Sequence, residues 1–583
     1  MGLVLALACV LRLWKIQDVP GNVFYDAAVR SMAGSWHNFF FGALEPSGTV
    51  SIDKPPVDLW LQVATTRVLG FGRVGLHIPE ALGGIAACGL LFGALRRPFG
   101  FTAALAAACA LAVLPVSVLT ARSDTMDSLL ATLEIAALWF SWRALESGRM
   151  RWSLAAAAVM GLAFNVKLTE MLIALPALAL LWLWAAAPGG RVRALLASAA
   201  TFLAVALSWT AIASLTPIGG RPFPIGSANG SIWHVTLIYD GLNRLSSQGA
   251  TGRAEGGAGP LRLLSAGPLQ YWTLIGIALL ATCLLGLVAL AVLVSQDRER
   301  VRAAMREPAG RLAAGILVWF ATGSIAFSAM ERLQPRYLEA FAPAVCALFG
   351  LSLSVLWNGR LARPPGAGRR ASGGVVLDYG SARRSAVADS GTRGPVVAPG
   401  TRGAIADSGT QGPVADPGTR GAVADSSTRG QASHATLVSR VVLVCLGLGL
   451  LAIALNKDAY IVDRARTDSL LTDFSTPALS RYLRVHRDGA RYEVASANVN
   501  DAIGLIARDD RPVLVLNSVD GSLTPTNSLE AQVAAGRVRF YLTTPHACHA
   551  GRHCPGNQKW AFANSVPVSG QPDLRRFTTN WAP

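Results

Sequence analysis

The sequence has little charge. Asp, Glu, Lys and Arg make up 15% of its 583 residues, whereas apolar residues make up 52% and the mean hydropathy is +0.40. Soluble domains contain about 25% charged residues, so this chain lacks the polar side chains needed to cover several soluble domains. Because the apolar residues also occur in long runs, the composition predicts an integral membrane protein.

Cysteine and acidic residues are scarce as well. Eight Cys spread over 583 residues exclude a disulfide-rich secreted scaffold. Lys and Arg outnumber Asp and Glu by 52 to 35, a net charge of +17. Such a charge is also typical of nucleic-acid-binding proteins, but here the basic residues lie at the ends of apolar runs, as the positive-inside rule describes. We therefore predict a lipid bilayer, and no nucleic acid, as a partner.

Apolar runs of about 20 residues are candidates for transmembrane helices. The sequence contains eleven: residues 1–16, 76–95, 101–120, 128–145, 153–167, 169–187, 194–216, 270–295, 311–329, 338–357 and 437–456. Arg residues follow every second run, which places the N-terminus in the cytoplasm of a multi-pass plasma-membrane protein. The first run lacks a basic start and a small-residue cleavage site, so we interpret it as a true span rather than a signal peptide.

This topology divides the chain into parts with different environments. We predict a transmembrane core with two outer loops, a cytoplasmic linker, a last transmembrane helix and a soluble extracytoplasmic α/β domain: residues 1–357 with loops 17–75 and 217–269, then 358–436, 437–456 and 457–583. In the linker, Thr recurs every nine residues at Thr392, Thr401, Thr410, Thr419 and Thr428. With one aromatic residue, this repeat cannot bury enough apolar surface to order itself, which predicts a disordered segment.

The C-terminal domain shows alternating strand and helix patterns. Helices are predicted at residues 476–487, 501–507 and 528–535, and strands at 491–497, 513–516 and 538–542. This alternation is typical of a small parallel α/β unit. Near its end, Cys548 and Cys554 interleave with His546, His549 and His553. The two cysteines form a disulfide in an oxidising compartment, the cluster holds a zinc ion, or the cysteines form no bond; the sequence leaves these three alternatives open.

The first outer loop contains the strongest polar motif, Asp53-Lys54-Pro55-Pro56. Two prolines fix the backbone and prevent a helix from forming through them. The motif therefore presents an acid and a base just before the amphipathic stretch 57–69, which we expect to lie along the membrane surface. Lys54 suits a lipid-borne phosphate, and the alternative is an interfacial Lys that reaches water beside Asp53.

A second polar motif, residues 122–127, forms the predicted turn before the fourth span. Asp124 and Asp127 are three residues apart, so at a helix start they lie on nearly the same face. They are candidate catalytic carboxylates, and the alternative is that they cap the helix and balance its dipole. With Asp53 they would form an oxygen-rich site for Mg²⁺ or Mn²⁺. Arg122 opens the same turn and is a candidate ligand for a phosphate.

Three further residues are candidates at the outer ends of helices. Lys167 lies near Glu170 in an apolar background, as a phosphate ligand or as half of a simple ion pair. Arg336 starts the tenth span and suits bidentate contact with a phosphate, or it marks the membrane boundary. Asp26 is a candidate acid or base, but Arg30 follows it by four residues, so a surface ion pair between them is equally expected.

Taken together, these motifs resemble the membrane glycosyltransferases that use polyprenyl-phosphate sugars. This group has the GT-C fold and includes the protein O-mannosyltransferases and the lipid A aminoarabinose transferases. The resemblance rests on the order of these segments: Asn22-Val23-Phe24-Tyr25, Ser51-Ile52-Asp53-Lys54-Pro55-Pro56, the spacing Arg122 to Asp127, Gly226-Ser227-Ala228-Asn229 and Tyr239-Asp240-Gly241-Leu242-Asn243-Arg244. It covers nearly the whole chain except the nine-residue repeat and the last forty residues.

The resemblance implies roles for individual residues. Lys54 would bind the phosphate of the carrier, Asp53 would orient Lys54 or help to hold a divalent metal (Mg, Mn or Zn), and Asp127 would be a second carboxylate near the reaction centre. The first-loop acid pair of the wider family falls on Gly21 and Asn22 here, so its role as a base does not carry over. Asp26, Asp124 or Asp53 would then replace it.

The expected function is transfer of a sugar from a polyprenyl-phosphate donor to a cell-envelope acceptor (glycan, lipid or protein) at the outer face of the plasma membrane. The alternative is a polytopic transporter or flippase of lipid-linked sugars. Transporters often carry repeated halves and ionisable residues near the middle of the bilayer. This sequence shows no such repeat, and its candidate ionisable residues cluster at span ends, which favours the enzyme.

Overall fold

The computed structural model describes residues 1–241, 243, 258–264, 275–296, 298–330, 333–358, 476–518, 521–543 and 554–578. The predicted linker, except for its first residue, and the predicted last span lie outside these residues. So do Cys548, the three histidines beside it and most of the second half of the predicted outer loop 217–269.

The N-terminal part is built almost entirely from helices. They are α1 (Gly2–Leu13), α2 (Val23–Met32), α3 (Trp36–Phe41), α4 (Val57–Leu69), α5 (Arg73–Phe99), α6 (Phe101–Val113), α7 (Pro115–Ala121), α8 (Asp127–Ser147), α9 (Met150–Val166), α10 (Leu175–Ala185), α11 (Arg191–Ala206), α12 (Ser208–Ser214), α13 (Ile277–Gln296), α14 (Arg298–Arg306), α15 (Pro308–Ala329) and α16 (Ala342–Asn358). A 3₁₀ helix, Pro335–Ala340, precedes α16. A helix overlaps each of the first ten predicted spans.

Among the described residues, fewer helices are both long enough and apolar enough to cross a bilayer than the sequence predicts. Within the described residues, three helices are long and apolar enough to cross a bilayer, Arg73–Phe99, Pro188–Ala206 and Pro308–Ala329. A fourth candidate is the pair α6 and α7, bent by 59°, because Pro115 has no N–H to continue the helical hydrogen bonds. The protein is thus a multi-pass helical membrane protein, and the count of eleven spans stays a prediction.

The first loop is ordered by short-range caps and by pairing with a distant segment. The Asn22 side chain accepts the N–H of Phe24 at the start of α2, and the Ser35 side chain accepts that of Asn38 in α3; such caps satisfy amides that lack partners within a helix. Strands β1 (Val50–Ser51) and β2 (Phe223–Pro224) then pair in parallel. This pairing joins the two predicted outer loops directly before the Asp53-Lys54 turn.

The C-terminal region combines helices with a five-stranded sheet. Its elements are α17 (Thr476–His486), α18 (Ile503–Asp509), α19 (Thr526–Ala534), α20 (Gly556–Ala563), β3 (Ala495–Ser496), β4 (Leu514–Val515), β5 (Phe540–Leu542), β6 (Ser565–Val568) and β7 (Gln571–Phe577). The strand order is β4-β3-β5-β7-β6. The first three strands are parallel as expected, but the sheet is mixed because β6 and β7, which the sequence analysis did not single out, add an antiparallel hairpin.

The C-terminal region packs against the first loop. Helix α18 contacts α2, and Leu505 and Ile506 belong to the same buried apolar cluster as Tyr25 and Ala28. At the edge of this contact, Arg30 Nε lies 3.8 Å from Asp510 Oδ2. The α/β region and the first loop therefore lie on the same face of the helical bundle.

Candidate active site

The Asp53-Lys54 turn places its lysine between a carboxylate and a phenol. Lys54 Nζ lies 3.1 Å from Asp53 Oδ1 and donates a hydrogen bond of 3.4 Å to Tyr25 Oη on α2. Pro56 occupies the N-cap position of α4, so the two prolines separate the turn from the helix as the sequence predicts. The Lys54 side chain is 12% exposed, so most of it is shielded from solvent.

A second lysine is held in the same way on the other side of the bundle end. Lys167 follows the last residue of α9 and donates to Asp127 Oδ1, at the first residue of α8. Glu170 Oε1 lies 3.7 Å away, and the ammonium group sits 4.5 Å from the centre of the Tyr337 ring, a favourable cation–π position. Lys167 and Asp127 are both buried, so the charge of each depends on its partner.

Arg336 connects the two lysine groups. Burial opposes its charge, but Tyr25, Asp127 and Tyr337 lie close enough to raise the pKa of Arg336 above its usual range. Tyr25 belongs to the Lys54 group, whereas Asp127 and Tyr337 belong to the Lys167 group. We call Lys54, Lys167 and Arg336 the cation cluster. Its members come from three separate helix-connecting segments, so the structure brings together candidates that are far apart in sequence.

Asp26 and Asp124 form a separate acid pair. Asp26 Oδ2 lies 2.6 Å from Arg73 Nη1, and the Asp124 carboxylate accepts the backbone N–H of Asn22 at 2.9 and 3.0 Å. The carboxyl groups of Asp26 and Asp124 lie close enough to affect each other's pKa. Burial, followed by repulsion from Asp26, raises the pKa of Asp124 well above its usual value, so a proton shared by the two carboxyl groups would stabilise the acid pair.

The expected ion pair between Asp26 and Arg30 is wrong. Asp26 pairs with Arg73, 47 residues away, and Arg30 faces Asp510 and the ring of Phe71. The spacing of four residues permits a helical pair but does not require one. Tertiary contacts with α5 and with the C-terminal region decide the partners.

The acid pair lies beside the place where the wider family has its first-loop acids. A side chain at Gly21 would begin 1.9 Å from Arg73 Nη1, so the glycine makes room for this guanidinium group. Asn22 uses its side chain to cap α2 and its backbone N–H to hold Asp124. Asp26, Asp124 and Arg73 therefore occupy the surroundings of Gly21 and Asn22.

The structure does not bring Arg122 to the cation cluster. Its guanidinium group donates to the carbonyl of Leu11 at 3.0 Å, near the C-terminal end of α1, where carbonyls lack helical partners. Burial lowers the pKa of Arg122, and Asp18 opposes this effect. Arg122 thus fastens α1 to the turn before α8, and its contact with a phosphate stays a prediction.

The metal site suggested by the sequence stays a prediction. Within the residues that the structure describes, no three His, Cys, Asp or Glu side chains are grouped so as to hold a metal ion. Asp53 faces Lys54, Asp127 faces Lys167 and Asp124 faces Asn22. We therefore derive no reaction step through a metal. Cys554 is disulfide-bonded, but Cys548 lies outside the described residues, so their pairing stays a prediction.

Sequence reasoning missed a buried network beside Asp127. Asp58 and Gln62 on α4 and Glu80 on α5 are completely buried, and burial raises the pKa of Asp58 to about 6. An ionisable residue inside an apolar run is itself a signal of function or of a specific partner, and Glu80 carries that signal. Asp58 and Gln62 are four residues apart on α4, so they share one helix face.

The comparisons with known proteins address the segment that carries most of these residues. Residues 53–215 match the family described as dolichyl-phosphate-mannose-protein mannosyltransferase. The match covers less than a third of the chain, so the likeness to this family is established for that segment. The matched segment includes Asp53, Lys54, Asp127 and Lys167, whereas Arg336 lies beyond it. The resemblance to membrane glycosyltransferases that the sequence motifs indicate is thereby confirmed.

Two Bacillus subtilis proteins, which carry the provisional name mannosyltransferase, are relatives of this chain. YycA is 35% identical over 257 residues, which are 44% of this chain and 37% of YycA. YkcB is 33% identical over 245 residues, 42% of this chain and 34% of YkcB. The matched segment spans little more than a third of the length of these relatives.

Two solved structures share the fold. ArnT from Cupriavidus metallidurans, bound to undecaprenyl phosphate, has a TM-score of 0.55 and 17% identity, with 99% of this chain and 97% of ArnT covered. The apo oligosaccharyltransferase of Archaeoglobus fulgidus has a TM-score of 0.50 and 13% identity, with 93% of this chain and 69% of that chain covered. At these identities the likeness establishes the membrane fold of these transferases and nothing finer.

Proposed function

We propose that this protein transfers a sugar from a polyprenyl-phosphate donor to a hydroxyl group of a cell-envelope acceptor, at the outer face of the plasma membrane. The observation that carries this proposal is the cation cluster, in which Lys54, Lys167 and Arg336 gather with the carboxylates of Asp53, Asp127 and Glu170. The match of residues 53–215 to the dolichyl-phosphate-mannose-protein mannosyltransferase family supports the reaction class. The presence of undecaprenyl phosphate in the similarly folded ArnT supports the lipid carrier.

The charges in the cation cluster suit a departing phosphate. A sugar joined to a prenyl phosphate carries one negative charge, and the prenyl phosphate that leaves gains a second. Fixed cations aimed at a group that gains charge stabilise the transition state more than the ground state. Arg336 offers two parallel donors, and Lys54 and Lys167 add compact positive charges from either side.

Asp127 is the base in this proposal. One of its oxygens is held by Lys167, and the other, Oδ2, is buried without a hydrogen-bond donor among the described residues. The acceptor oxygen attacks the anomeric carbon, the bond from that carbon to the phosphate oxygen breaks, and the acceptor proton moves to Asp127. Lys167 then loses its counter-charge just as the phosphate gains charge. A single displacement of this kind inverts the anomeric centre.

Asp53 has an orienting role. Its carboxylate, 3.1 Å from Lys54 Nζ, keeps the ammonium group in the turn before α4. The Tyr25 hydroxyl limits the same group from the other side at 3.4 Å. Holding a catalytic cation in advance avoids the cost of ordering it during the reaction.

The outer-face location rests on the topology proposed from the Arg distribution. In that topology the first loop and the C-terminal domain are both extracytoplasmic and the N-terminus is cytoplasmic. The packing of α18 against α2 places the two segments on one face, which supports the arrangement. A donor then enters from the bilayer and an acceptor from the aqueous side. Protease digestion of intact cells tests this, since residues 476–578 should be cleaved without permeabilisation.

The reaction is tested with purified full-length protein in nanodiscs and a radiolabelled polyprenyl-phosphate mannose. We expect release of polyprenyl phosphate coupled to labelling of an envelope extract, and a loss of at least about 100-fold for Lys54→Ala. Lys559→Ala, at an exposed position of the C-terminal region, is the matched control and should retain full turnover. Equal turnover of Lys54→Ala and wild type would contradict the site. Movement of the lipid across the bilayer without sugar transfer would instead support the alternative function, a flippase of lipid-linked sugars.

A further inference from the structure

Glu80 holds the start of the helix that carries Asp127. Its Oε2 atom accepts the backbone N–H groups of Ser128 at 2.8 Å and Leu129 at 3.0 Å. These amides belong to the first turn of α8, where N–H groups have no partner within the helix. The Glu80 carbonyl also accepts the Ser128 hydroxyl at 3.0 Å. A side chain from α5 thus caps the N-terminus of α8, an interaction that is ordinarily made by the residue just before the helix.

No local residue performs this function. The N-cap residue of α8 is Met126, which has a left-handed backbone (φ 65°) and no side-chain acceptor. Asp127, the first residue of α8, directs one carboxylate oxygen to Lys167. The orientation of the first turn of α8 therefore depends on a contact with a residue 48 positions earlier in the chain.

The same network reaches the segment that carries Lys54. The carboxyl groups of Asp58 and Glu80 are both completely buried and lie close enough to interact with each other. Gln62 Nε2 donates to Asp58 Oδ2 at 2.6 Å and to the backbone carbonyl of Asp124 at 3.2 Å. Asp58 lies on α4, which starts one residue after Pro56. One buried network therefore joins the Lys54 turn, α5 and the turn before α8.

We propose that Glu80, supported by Asp58, is a positioning residue that fixes Asp127 relative to Lys54. The inference rests on the proposed function, because it assigns Asp127 the role of base. Glu80 acts through the backbone amides of α8 and does not contact the substrate. A displacement of about 1 Å in a catalytic group costs on the order of 100-fold in rate, so the reach of the Glu80 side chain, rather than its charge, is the property that matters.

Two substitutions of Glu80 distinguish the effect of side-chain length from the effect of charge. Glu80→Gln keeps the length of the side chain and one oxygen that accepts both amides, and its NH₂ group supplies a donor for the neighbouring Asp58 carboxylate. Glu80→Asp keeps the carboxylate but is one methylene shorter, so it no longer reaches Ser128 and Leu129. If Glu80 instead transferred a proton in the reaction, the order of the two variants would be reversed.

The test measures kcat and KM for the donor in wild type, both Glu80 variants and the control Glu146→Gln, which removes an exposed partner of Arg97 at the far end of α8. We expect Glu80→Gln and the control to stay within about threefold of wild type. Glu80→Asp should lower kcat by roughly 100-fold while its donor KM changes by less than about threefold. An active Glu80→Asp with an inactive Glu80→Gln would overturn the inference.

Hydrogen–deuterium exchange supplies a readout that does not depend on activity. The amides of Ser128 and Leu129 should exchange slowly in wild type and in Glu80→Gln, and at least about tenfold faster in Glu80→Asp. Equal protection in Glu80→Asp and wild type would overturn the positioning role even if activity changed. A third outcome separates the two claims. If the amides are protected in wild type and exposed in Glu80→Asp, but the wild-type protein transfers no sugar, the proposed function fails and the positioning contact stands.

Discussion

The cation cluster and the acid pair are two groups of buried charges at the same end of the bundle, and they differ in what balances their carboxylates. In the cation cluster, Asp53 and Asp127 each face a lysine. In the acid pair, Asp26 and Asp124 face each other. Asp26 forms an ion pair with Arg73, whereas Asp124 accepts the backbone N–H of Asn22. An added phosphate meets three cations in the cation cluster, and each carboxylate there already has a basic partner. In the acid pair an added anion would meet two carboxyl groups that already repel each other, so its electrostatic cost is higher.

This difference assigns the two groups separate tasks. The cation cluster is suited to a phosphate, whereas the acid pair fastens the first loop to the turn before α8 through Asn22 and Arg73. The acid pair was a candidate replacement for the missing family acids. The position of Arg73 at Gly21 favours a structural role for it instead. The following predictions test this division, beginning with the largest expected effect.

Neutralising one carboxylate in each group gives the sharpest contrast. Asp127→Asn removes the proposed base and should lower kcat by on the order of 1,000-fold. Asp124→Asn replaces a carboxyl group with a raised pKa by a neutral amide of similar shape and should retain turnover within about threefold. Turnover of polyprenyl-phosphate mannose by both variants checks this. A large loss in Asp124→Asn with an active Asp127→Asn would exchange the roles of the two groups.

The acid pair should appear in the pH dependence of stability. The pKa of Asp124 is raised in the folded protein, so its folded form favours the proton. The stabilisation that this proton provides is complete below the ordinary aspartate pKa of about 4, and it is lost as the pH rises through the raised value. Asp124→Asn should be unaffected by this loss. Its melting temperature should equal that of wild type at acid pH and exceed it at alkaline pH.

A melting-temperature difference between Asp124→Asn and wild type that is independent of pH would show that no proton is shared. Thermal unfolding in detergent, followed by tryptophan fluorescence between pH 5 and pH 9, provides the measurement. Glu146→Gln serves as a control because Glu146 is an exposed partner of Arg97 at the far end of α8.

Arg122 provides a smaller test. Its contact with the Leu11 carbonyl predicts that Arg122→Ala lowers the free energy of unfolding by about 1–3 kcal/mol, the cost of an unsatisfied buried group. The KM for the donor should stay the same, since the structure does not place Arg122 in the cation cluster. A raised KM with unchanged melting temperature would restore Arg122 to the phosphate site.

The sequence was sufficient for features that depend on local composition. Long apolar runs predict a helical membrane protein, and the Lys54-Pro55-Pro56 turn ends where α4 begins at Val57, because proline stops helices for covalent reasons. The α6–α7 break at Pro115 follows from the same rule. Hydropathy alone predicts one continuous span at residues 101–120 and does not reveal this break.

The partners of the charged residues required the three-dimensional structure. Spacing predicts Arg30 as the partner of Asp26, but the observed partner is Arg73, because α2 turns that face toward α5. Glu80 lies in an apolar run with no neighbour in sequence to indicate that it caps α8. Asp127, Lys167 and Arg336 are single polar residues at helix ends. Their meeting depends on how the helices pack, which no local pattern encodes.

The most direct test of the central claim is the affinity of the purified protein for undecaprenyl phosphate, measured by calorimetry in nanodiscs. If Lys54, Lys167 and Arg336 hold the phosphate, Arg336→Ala should weaken binding by roughly 10- to 100-fold, as expected for a charged hydrogen bond of about 1.5–3 kcal/mol. Asp26→Asn in the acid pair should leave the affinity within about threefold. Equal affinities of Arg336→Ala and wild type would contradict the account.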